Sequence, residues 1–351
     1  MRIIYSIILF SLIFTGCSEN KENVSTNELT LVHNETEQKV DVLVDGKLFT
    51  SYLYTDTLPV LKKPVLYPII SANGVAITRG YPLDPRPGER TDHPHHIGAW
   101  LNFGDVNGLD YWGNSDAIPE EQYDKMGVIR HEKIIDFMGG HGKGELTVSA
   151  NWLKPNGDVL LKEKTHFIFY AKDSIRIIDR ITTLTSETEN VLFKDTKEGM
   201  LGIRLARQLE LPSDKPVTLS DAHGKKTEVA VLDNTGVTGN YLSSEGIERL
   251  DVWGKRAKWV ALSGNIESKN VSVVIMDSPD NVGYPTYWHA RGYGLFAANP
   301  LGQKTFSDGK EELNFSLKPA ESVTLSYRIE IIDGKSSKEQ LETEYQKFVK
   351  K

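Results

Sequence analysis

Along most of the chain, apolar and polar positions alternate in short runs broken by turn residues. Leu29-Thr-Leu-Val, Val40-Asp-Val-Leu-Val, Glu145-Leu-Thr-Val-Ser-Ala, Thr165-His-Phe-Ile-Phe-Tyr, Ser174-Ile-Arg-Ile-Ile-Asp-Arg-Ile and Val271-Ser-Val-Val-Ile-Met all show this period of two. They are rich in β-branched and aromatic residues, and successive side chains of a strand point to opposite faces, so each run predicts a strand. Asp45-Gly46, Asn156-Gly157-Asp158, Ala171-Lys172-Asp173 and Gly264-Asn265 are the turn signals. A helical period is convincing in one place, at the C-terminus. There Ser337 is placed to cap, Gln340 completes a capping box, and Leu341, Tyr345, Phe348 and Val349 share one face. Many short strands without alternating helices predict an all-β fold, a large antiparallel sandwich with a short C-terminal helix. No fixed-period repeat points to a propeller.

The N-terminus departs from this pattern. A basic start at Arg2, an apolar run over residues 3–14 and then Thr15-Gly16-Cys17 read as a secretory signal. The Thr-Gly-Cys ending resembles a bacterial lipobox, where the chain is cut before the cysteine and the cysteine is lipidated. Phe14 stands where Leu, Val or Ile is usual. The apolar run is shorter than the roughly 20 residues a membrane-spanning helix requires. Cys17 is the chain's single cysteine, so it has no partner for an internal disulfide. The expected organisation is a signal peptide over 1–16, a polar tether over 17–28, a β domain over 29–334 and a helical tail over 335–351. The expected location is the cell envelope, at an outer membrane, held by lipid on Cys17.

With 39% hydrophobic and 25% charged residues, the 351-residue chain has the composition of a globular protein. Its net charge of −7 argues against a nucleic-acid partner, which calls for a basic face to displace phosphate counterions. The 29 Gly, 15 Pro, 6 Trp, 14 Tyr and 12 Phe suit turn-rich strands and surfaces that favour carbohydrate.

Four segments carry candidate chemistry. Arg79 and the run Arg90-Thr-Asp-His93-Pro-His95-His96 form the densest polar group, with three of the chain's nine histidines in four residues. Imidazoles so placed serve as general acids or bases, as metal ligands, or as structural donors in a turn. No HExxH or CxxC pattern accompanies them, so neither a metal nor any other cofactor is assigned. Next, Trp100 to Trp112 mixes aromatics with Asn and Asp, as sugar recognition does, although Trp100 to Phe103 also reads as a core strand. Third, Lys197 and Glu198 form a charged pair, and Glu198 shares its parity with Arg204. Fourth, Tyr287, His289 and Arg291 alternate, so one strand face would present a phenol, an imidazole and a guanidinium, with Tyr293 extending the row.

The blocks DHPHHIGAWLNFGDVNGLDYW, DTKEGMLGIRLA and PTYWHARGYGLFAANPLG resemble a bacterial family of unknown function that often carries the label "methane oxygenase PmoA". The resemblance runs from about Tyr67 to Glu330. It implies a galactose-mutarotase-like β-supersandwich and, for exported members, a setting among polysaccharide-degrading enzymes. By analogy with mutarotases it implies His95 or His96 and His289 as acids, Glu198 as base, and Arg79 and Arg291 as substrate clamps. His93, Lys197, Trp100, Tyr287 and Trp288 would complete the substrate contacts.

Two functions follow as expectations. One is a hydrolase, lyase or epimerase acting on oligo- or polysaccharide. The other is a glycan-binding lipoprotein that stacks sugars on Trp100, Tyr111, Trp112, Tyr287 and Trp288. A metal-dependent oxygenase, as the label suggests, ranks below both. His95 or His96, Glu198, His289 and Arg291 are expected to line one pocket.

Overall fold

The computed structural model describes residues 27–350. The signal segment, Cys17 and nearly all of the expected tether therefore lie outside the described residues. Two large sheets face each other. The nine-stranded sheet runs, edge to edge, Tyr287–Ala290, Leu295–Asn299, Leu201–Arg204, Ala99–Leu101, Val65–Ile69, Lys47–Leu53, Lys39–Val44, Glu28–Asn34 and Gly140–His141. The eight-stranded sheet runs Asn240–Ser243, Trp259–Ile266, Lys269–Asp277, Ser322–Asp333, Ile175–Ser186, Val159–Lys172, Lys143–Leu153 and Val128–Met138. Neighbouring strands pair antiparallel in both. The sequence expectation of a large antiparallel sandwich is what the structure shows.

Alternation decides which side chains enter the space between the sheets. Ala99, Leu101, Leu201, Ile203, Trp288, Ala290, Phe296 and Ala298 turn inward and join Phe167, Phe169, Ile178, Val273, Ile275, Ile329 and Ile331 from the facing sheet. Removing this apolar surface from water is the main drive for closing the sandwich. The opposite face of the nine-stranded sheet carries a smaller cluster in which Trp100, Trp112, Leu295 and Ala297 pack together. Part of the outer face of the eight-stranded sheet is covered by the C-terminal helix Lys338–Val349. Its Leu341 and Tyr345 lie on Trp259, Ala261, Val274 and Met276. Ser337 and Gln340 form the expected capping box, which satisfies backbone donors at the first turn.

One turn falls elsewhere than expected. Gly264 and Asn265 lie inside the strand Trp259–Ile266, and the chain reverses at Glu267 and Ser268, with φ of 51° and 64°. Gly264 is needed for space, since a Cβ there would meet Leu209 Cδ2 at 2.8 Å and Thr238 Oγ1 at 2.9 Å. The glycine marks a close approach within a strand, not a reversal.

Candidate functional site

The candidate site lies on the face of the nine-stranded sheet turned away from the core, near the edge formed by Tyr287–Ala290. Register places His289 beside Ala297, and Arg204 beside Leu295. The parity that sends Trp288 and Ala290 inward sends His289 and Arg204 outward. Glu198 enters just ahead of the strand Leu201–Arg204. Its carbonyl accepts from the Gly104 N–H at 2.8 Å, and a Cβ on Gly104 would sit 2.7 Å from the Glu198 Cβ. Gly104 therefore makes room for the glutamate.

Beneath the site is a buried charge cluster. The Asp92 carboxylate accepts from Arg79 Nη1 at 2.9 Å and from Arg204 Nη2 at 2.7 Å, and His93 Nδ1 lies 3.1 Å away. Burial alone would raise the Asp92 pKa, but Arg204, His93 and Arg79 together hold it well below the usual carboxylate range. Arg79 also donates to the carbonyls of Arg90, Asp92, His93 and His96, at 2.8 to 3.2 Å. One guanidinium thus fixes the whole 90–96 loop.

That loop explains the three histidines. His93 has φ of 45°, a left-handed conformation uncommon for a residue with a Cβ. Its ring stacks between His96 at 4.8 Å and Tyr293 at 5.4 Å, and His96 stacks in turn on Trp100 at 5.2 Å. The motif builds a ring column. Burial holds His95 and His96 well below the ordinary histidine pKa, and both are neutral. Among the described residues no group of three His, Cys, Asp or Glu side chains is arranged to hold a metal ion. A copper or iron centre does not fit this donor set.

Above the column is a cleft of about 440 Å³, lined by His93, Lys197, Glu198, His289, Arg291 and Tyr293 together with Arg90, Asp92, Thr218, Ser220, Lys226 and Glu228. His289 Nδ1 lies 3.6 Å from Glu198 Oε2. Burial pushes the His289 pKa down to about 4, against the opposing pull of Glu198, so the imidazole is neutral at pH 7. Its buried Nδ1 has no hydrogen-bond partner. Lys197 pairs with the other oxygen of Glu198. A second cleft of about 670 Å³, with Leu211, Leu250 and Trp253 in its wall, shares Arg90, Thr218, Arg291 and Tyr293 with the first. The two form one groove, an ionic lobe and a mixed lobe in which Leu211, Leu250 and Trp253 sit beside Asp214, Lys215, Arg249 and Asp251.

The structure gathers His93, Lys197, Glu198, His289 and Arg291 at this cleft and leaves the other sequence candidates outside it. His95 and His96 pack behind His93 and do not line the cleft. Arg79 is buried under the loop it anchors, so it has no free face for a substrate. Trp100 is sealed beneath His96 and Trp112. Trp288 faces the core and donates its indole N–H to the Ala257 carbonyl at 3.0 Å. Tyr287 shares the outward parity of His289, but Phe306 stacks on its ring at 5.5 Å and its hydroxyl donates to Glu311. Tyr111 and Trp112 are buried as well.

Sequence reading missed the hairpin formed by Val217–Ser220 and Lys226–Val229. Its pairs Thr218 with Glu228 and Ser220 with Lys226 lie on one face, and all four line the ionic lobe. The available signal was polar alternation around the turn Asp221-Ala-His-Gly, which looks the same in any solvated hairpin.

A family model described as a family of unknown function, DUF6807, matches residues 39–346. No curated protein matches the chain. Among solved structures, a GH36 α-galactosidase, AgaB, from Geobacillus stearothermophilus is similar with a TM-score of 0.40 and 10% identity. That match covers 87% of this chain and 41% of the galactosidase, so this chain spans about two fifths of its length. A putative aldose 1-epimerase from Escherichia coli K12 aligns with a TM-score of 0.34 and 9% identity, over 87% of this chain and 99% of that one. A galactose 1-epimerase from Lactobacillus acidophilus NCFM aligns at 0.36 and 10%, over 89% and 100%. The oxygenase label suggested by the sequence resemblance has no counterpart in these descriptions.

The buried cluster yields a stability prediction. Asp92→Ala leaves two guanidiniums without their carboxylate and is expected to cost about 3–5 kcal/mol. Urea denaturation of the purified variant measures this, and a loss under about 1 kcal/mol would show that the cluster does not hold the loop.

Proposed function

This chain belongs to the DUF6807 family, and we propose that it is an enzyme that moves a proton on a sugar, as an epimerase or a lyase does. The observation that carries this reading is the pairing of Glu198 with a neutral, partly unpartnered His289 in the wall of an open cleft. In this reading Glu198 is the base. Once it has taken a proton from a sugar carbon or hydroxyl, the free Nδ1 of His289 is a ready acceptor for it. A neutral imidazole suits that task, because only the neutral ring carries a nitrogen lone pair that can accept a proton.

Hydrolysis is less well supported. It ordinarily uses two carboxyl groups flanking the bond. Of the other carboxylates in the cleft, Asp92 is held by two guanidiniums and Glu228 accepts from Thr218 Oγ1 at 2.7 Å. A purely binding role built on aromatic platforms loses its basis too, since Trp100, Tyr111, Trp112, Tyr287 and Trp288 are all buried. The continuous groove suits a glycan longer than one ring, with one unit in the ionic lobe and its neighbour on Leu211, Leu250 and Trp253. The Thr15-Gly16-Cys17 ending supports export and a lipid tether, which would hold the groove in water at an outer membrane.

Two measurements check this reading. On a panel of plant, algal and envelope glycans, Glu198→Gln is expected to lower turnover by roughly 10²- to 10⁴-fold, the worth of a general base. Because the His289 pKa is lowered to about 4, activity should persist from pH 7 to pH 5 and fall as the imidazole gains a proton near pH 4. An acid limb near the ordinary histidine value, or a Glu198→Gln variant as active as the parent, contradicts the assignment. Separately, Cys17→Ala should move the protein from the membrane fraction to the soluble one. Retention on membranes would rule out the tether.

A further inference from the structure

The ionic lobe holds cations that the protein itself does not neutralise. Arg291 and Lys226 are exposed, both line the lobe, and neither has a carboxylate partner among the described residues. They come from different elements, Arg291 from the end of the sheet edge and Lys226 from the hairpin. Arg291 is also steadied over the Tyr293 ring, with its guanidinium carbon 5.7 Å from the centroid. The other charges in the lobe are already engaged. Arg90 is bound to Glu210 at 2.8 Å, Lys197 to Glu198, and Asp92 to Arg79 and Arg204. Glu228 is the remaining carboxylate, and its hydrogen bond to Thr218 holds it on the hairpin.

Beneath the lobe the imbalance has the same sign. Arg79 and Arg204, both buried, share the single carboxylate of Asp92. Arg204 lies directly under Tyr293, 4.7 Å from the ring centroid. Low-dielectric walls screen such an excess less than water does, so the field reaches into the cleft. The chain as a whole carries −7, which makes a positive cleft a local feature and not a consequence of composition.

We propose that the ionic lobe takes an acidic sugar, with its anionic substituent placed between Arg291 and Lys226. The planar fork of a guanidinium matches a carboxylate, and a flexible ammonium from the hairpin adds a second charge-assisted bond. The inference rests on the sugar-acting reading and narrows it to glycans bearing uronate or sulfate groups. On a uronate, Glu198 would take the proton from the carbon next to the carboxylate, and the C–H electron pair would pass into the carboxylate whose charge Arg291 and Lys226 offset. That pair then either takes a proton back on the other face or expels the glycosidic oxygen, which leaves with the proton Glu198 removed.

The test compares one glycan with and without its charge. Oligogalacturonate and its fully methyl-esterified form are titrated against the protein by calorimetry, and a sulfated galactan and its desulfated form are run alongside. The acidic member of at least one pair is expected to bind roughly 10- to 100-fold more tightly, the worth of a charge-assisted contact. Which pair responds identifies carboxylate or sulfate as the source. Arg291→Ala and Lys226→Gln, both at exposed positions, should each remove most of that preference while leaving the melting temperature unchanged. Neutral and acidic forms binding equally well would overturn the acidic specificity and leave the sugar reading standing. Turnover of neutral glycans alone would do the same. Binding and turnover of no glycan, neutral or acidic, would sink both.

Discussion

The Asp92 carboxylate, shared by the Arg79 and Arg204 guanidiniums, is the contact on which the site depends. It joins a loop to a sheet. Arg204 belongs to the strand Leu201–Arg204, while Arg79 gathers four carbonyls of residues 90–96. Without the carboxylate the two cations would repel in a medium that screens them poorly. With it, His93 is held in a left-handed turn and its ring is pressed between His96 and Tyr293. The floor of the cleft follows from that stack.

The second constraint is the period of two. A strand can serve core and cleft at once because neighbouring residues face opposite ways. Along 287–291 the same backbone buries Trp288 and Ala290 and presents His289 and Arg291. The core therefore fixes the angle at which His289 meets Glu198, and the geometry of that pair inherits the rigidity of the sandwich. The hairpin Val217–Ser220 with Lys226–Val229 belongs to neither large sheet, yet it supplies part of the cleft wall. A rigid wall and a separate hairpin wall together make the groove.

Much of this could be read in the sequence. Period-two runs identify the strands, and Ser337 with Gln340 identifies the C-terminal helix, because both depend on neighbours in the chain. The histidines, Glu198 and Arg291 stand out because ionisable residues interrupt apolar patterning there. What parity does not reveal is whether an outward face is covered. Trp100 and Tyr287 point away from the core, as alternation requires, but Trp112 closes over one and Phe306 over the other. Those covers come from distant segments. In the same way, the three histidines suggest an acid, a base or a ligand set until the fold stacks them into a column. Gly264 looks like a turn until Leu209 is seen against it.

In the proposed function, Glu198 and His289 transfer a proton on a bound sugar. The most direct measurement is proton NMR of an acidic oligosaccharide incubated with the protein in deuterated buffer, beside the Glu198→Gln variant. With the parent protein one ring-proton signal should disappear, through deuterium uptake or elimination, or exchange between anomers should speed up, and with the variant neither should happen. A sugar that binds the parent protein while every ring proton persists and anomer exchange keeps its uncatalysed rate would contradict it.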